Sequence, residues 1–281
     1  MTELKKHFAV IGNPIHHSLS PQIHRAFAKE TGLNIEYEAI LSPLDEFKNT
    51  IHKLITQKLS GVNVTLPFKK EAYELASQHS NHAKIAEAVN TLEFKDDQII
   101  GHNTDGIGLI RDLEQNLNIN LKSKRILLIG AGGAAEGVIC SLLEKEPSEL
   151  TLTNRTIEKS HVIQNKMDVH AKSFNVNLNV NLNVIEIARL PHQYFDLIIN
   201  ATSTSLNNTD LAINHKVFHK SSLAYDMMYG KETSFIREAQ SQGSKTSDGL
   251  GMLVEQAAEA FFIWHHIKPK TKSLIESLRA L

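Results

Sequence analysis

Residues 126–156 read ILLIGAGGAAEGVICSLLEKEPSELTLTNRT, and this stretch decides the fold. An apolar run, Ile126–Ile129, leads directly into the glycine-rich turn GAGGAA, and a helical pattern and a second strand-like run, Glu149–Thr153, follow it. This order is typical of a dinucleotide-binding site, in which the helix N-terminus offers free N–H groups to the phosphates. The stretch therefore predicts a Rossmann-type domain.

Particular residues of the stretch have separate expected roles. We expect Gly130 to allow the tight turn, Gly132 to let the backbone approach a pyrophosphate, and Ala135 to keep helix and strand close. A NAD site usually has an acid after the second strand, but here the run is Asn154-Arg155-Thr156. Because a guanidinium suits a 2′-phosphate, the sequence predicts NADP(H) rather than NAD as cofactor. Two alternatives stay open: a tight turn in another kind of α/β protein, and a solvated surface role for Arg155.

Composition excludes several classes of protein. The chain has 281 residues, enough for one large domain or two ordinary ones, and a formal net charge of −1 without a basic block. This argues against a nucleic-acid partner or an anionic membrane surface, and no apolar run reaches membrane-spanning length. The single cysteine, Cys140, excludes an internal disulfide and is expected to be a small buried residue. We expect a cytoplasmic protein.

The 15 histidines raise the question of a metal site. The sequence contains neither HExxH nor a Cys/His spacing typical of zinc. The pairs His16-His17 and His265-His266 are adjacent in sequence, so their side chains point in different directions. We therefore predict no metal site and mainly surface or capping positions for the histidines.

The N-terminal half alternates strand and helix patterns. A strand, Phe8–Ile11, precedes a helix that opens at Ser20-Pro21, with Ser20 as the expected cap. A short strand in residues 61–67 precedes a helix over 69–76, and Asn90–Ile100 resembles a hairpin with Asp96-Asp97 near its turn. This alternation predicts an α/β domain with a mostly parallel sheet. Farther along, Asn175–Val184 reads NVNLNVNLNV, and we interpret it as a lengthened strand or surface ribbon without chemistry.

Polar residues cluster at the predicted strand ends, where ligands bind in open α/β sheets. Ser18 and Ser20 flank one residue after the first strand and could bind a carboxylate, although both could instead serve the helix start. Asn63 and Thr65 lie on one side of a short strand because side chains alternate.

Two charged residues are placed at helix starts. Lys69 opposes the helix dipole there, which suggests a ligand or an acid partner, although an ordinary surface lysine is the alternative. Asp105 follows Asn103 at another loop-to-helix junction, where an aspartate is usually a cap. If a ketone is reduced here, the ammonium of Lys69 could donate the proton and stabilise the developing alkoxide, with Asp105 orienting it.

Seven motifs occur in order from Gly12 to Gln256: GNPIHHSLSP, GVNVTLPFKK, AVNT, HNTDGIG, GAGGAA, TNRT and DGLGMLVEQA. Together they resemble the shikimate dehydrogenase family. The resemblance implies a substrate-binding domain formed by residues 1–107 and 250–281, and a Rossmann-type NADP-binding domain formed by residues 108–249. It also implies reversible, NADPH-dependent reduction of 3-dehydroshikimate to shikimate in aromatic amino-acid biosynthesis.

The resemblance assigns roles to individual residues. Lys69 and Asp105 are the implied catalytic residues, with Lys69 as acid and base. The implied substrate contacts are Ser18 and Ser20 for the carboxylate and, around the ring, Asn63, Thr65, Asn90, Asp105, Tyr229 and Gln256. The implied NADP(H) contacts are Gly130, Ala131, Gly132, Gly133, Ala134, Asn154, Arg155, Thr156, Lys159, Met227 and Gly249.

The chain departs from the family pattern at two places and leaves rival functions open. Thr204-Ser205-Leu206 stands where a Gly-Met pair is common, which bears on the shape near the nicotinamide, and His16 stands where a small residue is common. One rival is a dehydrogenase acting on quinate, alone or together with shikimate, with NAD as an alternative cofactor. The other is a non-catalytic nucleotide-binding regulator, which should lack a proton donor. The expected partner is a small-molecule substrate, and the chain is expected to be a monomer or a homodimer.

Overall fold

The computed structural model describes residues 5–173, 182–190, 194–202 and 213–280. Of the alternating segment Asn175–Val184, only residues 182–184 fall within this range, and Thr204-Ser205-Leu206 lies outside it. The chain divides into two compact units, one formed by residues 1–108 and 253–281 and the other by residues 109–252. Within the described residues, every helix is too short or too polar to cross a lipid bilayer.

Among the described residues, six strands of the first unit form one sheet in the order β2-β1-β3-β5-β6-β4. The strands are β1 Lys6–Gly12, β2 Ile35–Leu41, β3 Gly61–Val64, β4 Gln78–His79, β5 Thr91–Lys95 and β6 Gln98–His102. The helices of this part of the chain are α1 Ser20–Thr31, α2 Phe47–Thr56, α3 Lys69–Leu75, α4 Asn81–Ala86 and α5 Asp105–Arg111. Strand β1 pairs in parallel with β2 and β3, whereas β5 pairs antiparallel with β3 and β6.

The antiparallel hairpin β5–β6 brings several chain ends to one edge of this sheet. Asn63, near the end of β3, pairs with Thr91 at the start of β5, and Thr91 pairs with His102 at the end of β6. The hairpin turn is made by Asp96 and Asp97, both with positive φ, as the predicted hairpin requires. The segments that follow β1, β3 and β6 and the one that precedes β5 therefore open at the same edge.

The second unit has a fully parallel sheet of six strands in the described residues, in the order β12-β11-β10-β7-β8-β9. Its elements, with the chain's last two helices, are β7 Arg125–Ile129, α6 Gly133–Leu143, β8 Glu149–Thr153, α7 Ile157–Ser173, β9 Leu182–Val184, β10 Leu197–Asn200, β11 Leu223–Asp226, α8 Ser234–Ser241, β12 Lys245–Asp248, α9 Leu250–His265 and α10 Lys272–Arg279. This strand order is that of a Rossmann sheet, in which the order of successive strands reverses between β7 and β10. The predicted α/β fold with mostly parallel sheets is confirmed.

Helix α9 completes the core of the first unit. Ala260 and Trp264 pack with Phe8, Val10 and Tyr37 of β1 and β2. The indole N–H of Trp264 donates to the Leu92 carbonyl at 3.2 Å. The approach is so close that a Cβ on Gly61 would lie 2.4 Å from the indole nitrogen. A glycine at the start of β3 is therefore a condition for docking this helix.

One local prediction is wrong, and one histidine is an exception to the expected surface positions. Ser20 is the first residue of α1 and does not cap it; the Ser18 hydroxyl instead accepts the backbone N–H of Ser20 at 3.3 Å, because a hydroxyl two residues upstream can reach it. His24 is fully buried rather than on the surface, and its ring stacks on Tyr37 with centroids 4.1 Å apart. The expected burial of Cys140 is confirmed.

Candidate active site

Lys69 and Asp105 form the central ion pair of the first unit. Lys69 begins α3 and Asp105 begins α5, and both helices start at the sheet edge where β3 and β6 end. The Lys69 ammonium donates to Asp105 Oδ2 at 2.6 Å, with about 20% of the Lys69 side chain and 9% of the Asp105 side chain exposed. The sequence left helix capping open as an alternative role for Asp105, but its carboxylate is turned to Lys69 and Asn90, and the side chain of Asn103 accepts the Asp105 N–H. The pair leaves part of the Lys69 side chain accessible.

Asn90 connects this pair to helix α9. Its amide nitrogen donates to Asp105 Oδ1 at 2.8 Å. Its oxygen accepts the Thr104 N–H at 2.9 Å. Oε1 of Gln256, on α9, lies 3.4 Å from both the Asn90 nitrogen and the Thr104 hydroxyl. The structure thus brings together four predicted site residues of the first unit: Lys69, Asn90, Asp105 and Gln256.

Asn63 lies in the same hydrogen-bonded group. Its oxygen accepts from the buried Tyr37 hydroxyl at 2.7 Å. Its amide nitrogen donates to the Thr91 hydroxyl at 3.0 Å and to the Asn90 carbonyl at 3.3 Å. Burial raises the pKa of Tyr37 well above its usual value, and a hydrogen bond from the Ser20 side chain partly opposes this. Tyr37 therefore stays protonated and serves as a donor to Asn63.

The other predicted ligands of this unit lie on the neighbouring loops. Thr65 follows β3, and a Cβ on Gly12, at the end of β1, would lie 2.5 Å from its methyl group. Ser18 and Ser20 follow the same strand, with Ser18 half-buried and Ser20 buried. The loops after β1 and β3 are adjacent, so they place hydroxyl groups at the same edge as the Lys69–Asp105 pair.

In the second unit, the glycine turn lies where the strand order reverses. Gly130 has φ of +113°, and a Cβ there would lie about 3.1 Å from the backbone of Ala201, which follows β10. By contrast, a Cβ on Gly132 or Gly133 would meet no described atom within 4 Å. Helix α6 begins at Gly133 without a side-chain cap, so its first N–H groups receive no capping hydrogen bond from the residue before it. This arrangement is what a bound pyrophosphate needs: a tight turn, room for an anion and donors to bind it.

The residues that follow β8 lie beside this turn. The Gly130 N–H donates to the Thr153 carbonyl at 2.8 Å, which holds the ends of β7 and β8 together. Arg155, Thr156 and Lys159 are exposed, and the Asn154 amide donates to the Thr156 carbonyl at 2.8 Å. Two cationic side chains thus follow the strand that adjoins the glycine turn, while Ala131 and Ala134 belong to the turn itself.

The segment after β11 is held close to the end of β12. The Met227 N–H donates to the Asn200 carbonyl at 3.0 Å, and the Gly249 N–H donates to the Met228 carbonyl at 3.0 Å. A Cβ on Gly249 would lie 2.3 Å from the Met227 carbonyl oxygen. Met227 and Gly249, both expected to contact the cofactor, are therefore adjacent, and Tyr229 belongs to the same segment.

Sequence analysis missed three hydroxyl residues that orient the polar group of the first unit: Tyr37, Thr91 and Thr104. Thr91 and Thr104 stand inside the motifs AVNT and HNTDGIG, so the motifs contained a signal that the analysis did not use. Tyr37 lies in a strand without any motif, and only the three-dimensional pairing of β1, β2 and β3 brings it to Asn63.

Comparison with known proteins identifies the family. Three family models match the chain: the shikimate dehydrogenase substrate binding domain at residues 10–92, shikimate / quinate 5-dehydrogenase at residues 112–209, and the shikimate 5′-dehydrogenase C-terminal domain at residues 249–279. The NADP(+)-dependent shikimate dehydrogenase of Nitrosospira multiformis is 50% identical and covers 97% of both chains. That of Methylobacillus flagellatus is 48% identical and covers 97% of this chain and 98% of its own.

A solved structure agrees with these matches. Shikimate 5-dehydrogenase from Thermus thermophilus, in complex with NADP(H) and shikimate, is 30% identical, with a TM-score of 0.83 over 98% of this chain and 99% of its own. The sequence relatives and this structure each match nearly the whole chain, so the similarity includes both units. The chain belongs to the shikimate dehydrogenase family.

Proposed function

We propose that this chain catalyses the reversible, NADPH-dependent reduction of 3-dehydroshikimate to shikimate. The observation that carries the proposal is the Lys69–Asp105 pair, 2.6 Å apart, at a sheet edge crowded with amide and hydroxyl groups. Relatives that are 48–50% identical carry the same activity in their names, and a related structure holds NADP(H) and shikimate. The product belongs to aromatic amino-acid biosynthesis.

The first unit would bind the substrate. Ser18 and Ser20 would bind the carboxylate, with Ser20 also bonded to Tyr37. Amides and carboxylates at the sheet edge suit hydroxyl groups, because they offer both acceptors and donors. The residues that would contact the ring are Asn63, Thr65, Asn90, Asp105 and Gln256, and Tyr229 is a further proposed substrate contact.

Lys69 would move the proton. When a ketone accepts a hydride, its oxygen becomes an alkoxide, and a donor within hydrogen-bonding reach must protonate it. The Lys69 ammonium can give this proton and stabilise the charge that develops. Asp105 fixes the ammonium at its Oδ2, while Asn90 holds the other carboxylate oxygen at 2.8 Å. In the reverse direction, the neutral amine would take the proton back from the alcohol.

The second unit would bind NADP(H), which supplies or accepts the hydride. The open space at Gly132 and Gly133 and the uncapped start of α6 fit a pyrophosphate. Arg155 would bind the 2′-phosphate by charge-assisted hydrogen bonds. The other proposed contacts are Gly130, Ala131, Ala134, Asn154, Thr156, Lys159, Met227 and Gly249.

The proposal also includes the cellular location and the partners of the enzyme. We propose a cytoplasmic enzyme that acts on a small molecule, without nucleic acid, as a monomer or homodimer. The near-neutral net charge of −1 and the buried single thiol, Cys140, support this environment.

Turnover assays with shikimate and quinate, each with NADP and NAD, test the proposal. We expect shikimate with NADP to give the highest kcat/KM; a higher value with quinate would favour the quinate dehydrogenase, and no turnover with any pair would favour the non-catalytic regulator. Lys69→Ala should lower kcat about 10²–10⁴-fold with a smaller change in KM. Added ethylamine should partly restore its turnover, because the amine can occupy the space of the missing side chain.

Lys70, exposed on the same helix, provides the matched control. Lys70→Ala should retain nearly normal kcat, and circular dichroism should show both variants folded. A folded Lys69→Ala variant with normal kcat would exclude Lys69 as the proton donor.

A further inference from the structure

The Thr91 hydroxyl lies between two side-chain amides of the first unit. Thr91 begins β5 and is fully buried. Its oxygen accepts a hydrogen bond from the Asn63 nitrogen at 3.0 Å and donates one to the Asn90 oxygen at 3.1 Å. The single hydroxyl proton is thus used in the bond to Asn90, while the oxygen accepts the hydrogen bond from Asn63. The hydroxyl therefore couples the positions of the two amides.

The orientation of Asn63 is fixed from the other side by a backbone group. The Asn90 carbonyl, 3.3 Å from the Asn63 side chain, can only accept, so the amide nitrogen must face it. The Asn63 oxygen then faces Tyr37, whose hydroxyl donates at 2.7 Å. Both N–H groups of Asn63 are used inside the protein. What remains to Asn63 is a second lone pair on its oxygen, beside the His24 ring, and toward a ligand this atom accepts but cannot donate.

The orientation of Asn90 is fixed in the same way. The Thr104 backbone N–H, 2.9 Å away, can only donate, so the Asn90 oxygen must face it. The Asn90 nitrogen is thereby turned to Asp105 Oδ1 at 2.8 Å. A flipped amide would place its oxygen against the carboxylate and its N–H groups against the Thr104 N–H, and both contacts are repulsive.

We propose that Thr91 is a positioning residue: the backbone groups set which atom of each amide faces them, and the Thr91 hydroxyl holds both side chains in these positions. Asn63 then presents an acceptor to a ligand, and Asn90 presents a donor to Asp105. The locked pair selects a ligand that offers a hydroxyl proton to Asn63 and disfavours one with a carbonyl, an ether or hydrogen at that position. The identity of the ligand rests on the proposed function; the locking of the amides does not.

The variants Thr91→Val and Thr91→Ser separate this role from packing. Valine keeps the shape of the side chain but removes the hydroxyl, whereas serine keeps the hydroxyl. Thr151 is the matched control, because it is a fully buried strand threonine of the second unit with a hydroxyl bonded to Glu149 at 2.8 Å. If Thr91→Val does not fold, Tyr37→Phe is used in the experiment instead, because it removes the hydrogen-bond donor to the oxygen of Asn63.

The binding experiment measures inhibition or dissociation constants of shikimate and its three monodeoxy analogues. In the wild type, loss of the hydroxyl that faces Asn63 should weaken binding about tenfold, the value of one good hydrogen bond. In Thr91→Val the same loss should cost less than about threefold, while Thr91→Ser and Thr151→Val behave like the wild type. If Thr91 has a purely structural role, Thr91→Val should weaken the binding of all four ligands by the same factor. That result would overturn the proposal, and so would unchanged binding of all four ligands.

A second measurement needs no ligand. The side-chain amide protons of Asn63 and Asn90 should exchange slowly with solvent in nitrogen-15 spectra of the wild type, faster in Thr91→Val, and slowly again in Thr91→Ser. If the wild type does not bind shikimate, the proposed function fails, and these resonances alone decide the positioning role. Unchanged exchange in Thr91→Val overturns it.

Discussion

The buried ring of His24 should make the first unit sensitive to acid. Burial, with a smaller effect from the nearby His265, lowers the pKa of His24 from 6.5 to about 3. The ring stacks on Tyr37, and although Asn63 lies beside it, neither nitrogen makes a well-directed hydrogen bond to a described residue. A charged ring would have to be accommodated among the aromatic rings of Phe27, Tyr37 and Trp264.

The direction and size of the effect follow from proton binding. Between about pH 6.5 and pH 3, the unfolded chain binds a proton at this histidine and the folded chain does not. The free energy of unfolding therefore falls as the pH falls through this window, with a limiting slope of about 1.36 kcal/mol per pH unit. From about pH 7.5 to pH 5, His24 alone should remove about 2 kcal/mol of stability.

Urea unfolding of the wild type and of His24→Phe, followed by tryptophan fluorescence, measures this loss. The single tryptophan, Trp264, lies in the first unit with its ring 5.5 Å from His24, so it reports on the unit that contains the histidine. Phenylalanine keeps an aromatic ring but cannot titrate. The variant should lose about 2 kcal/mol less than the wild type between about pH 7.5 and pH 5. His16→Phe, at an exposed position, should behave like the wild type. Equal losses in His24→Phe and the wild type would refute the reasoning.

Three further predictions concern single side chains. Arg155→Ala should weaken NADP(H) binding about tenfold or more, the value of a charged hydrogen bond, and should leave NAD(H) nearly unaffected; calorimetric titration with both cofactors measures the ratio, and equal losses would remove Arg155 from the phosphate site. Ser18→Ala should raise the KM for shikimate and lower the free energy of unfolding by about 1 kcal/mol, because Ser18 also accepts the Ser20 N–H; an unchanged KM would place the carboxylate elsewhere. Burial, with Glu144 nearby, raises the pKa of the Cys140 thiol to about 12, so a disulfide reagent should modify it only after denaturation, and rapid reaction of the native protein would contradict its burial.

The sequence predicted the fold well where a hydrophobic pattern and turn-forming residues occur together. The apolar runs of β7 and β8, with the glycine turn between them, predicted the Rossmann unit, and Asp96-Asp97 predicted the hairpin. These signals are local, because a tight turn or a buried strand constrains its own residues. The wrong cap at Ser20 has the opposite origin: Ser18 competes for the same N–H, and the sequence does not show which hydroxyl wins.

For the candidate site, too, local signals could be predicted and contacts between distant residues could not. Lys69 and Asp105 could be selected as charged residues at helix starts, and the family motifs assigned their roles. The orientation of Asn63 and Asn90 could not be predicted, because it depends on two backbone groups that only strand pairing brings into contact. His24 was missed because a histidine in an amphipathic helix gives no sign of whether its face is covered.

The contact of Trp264 with β1 and β2 has a consequence for the order in which the protein is made. Ribosomes deliver β1 and β2 first, but Ala260 and Trp264, which cover Phe8 and Val10, emerge only after the whole second unit has been synthesised. The second unit is continuous in sequence and can acquire its core during translation. Until helix α9 has been synthesised, the aromatic face of the first sheet remains uncovered. Nascent chains that stall before this helix should therefore be the ones that chaperones bind.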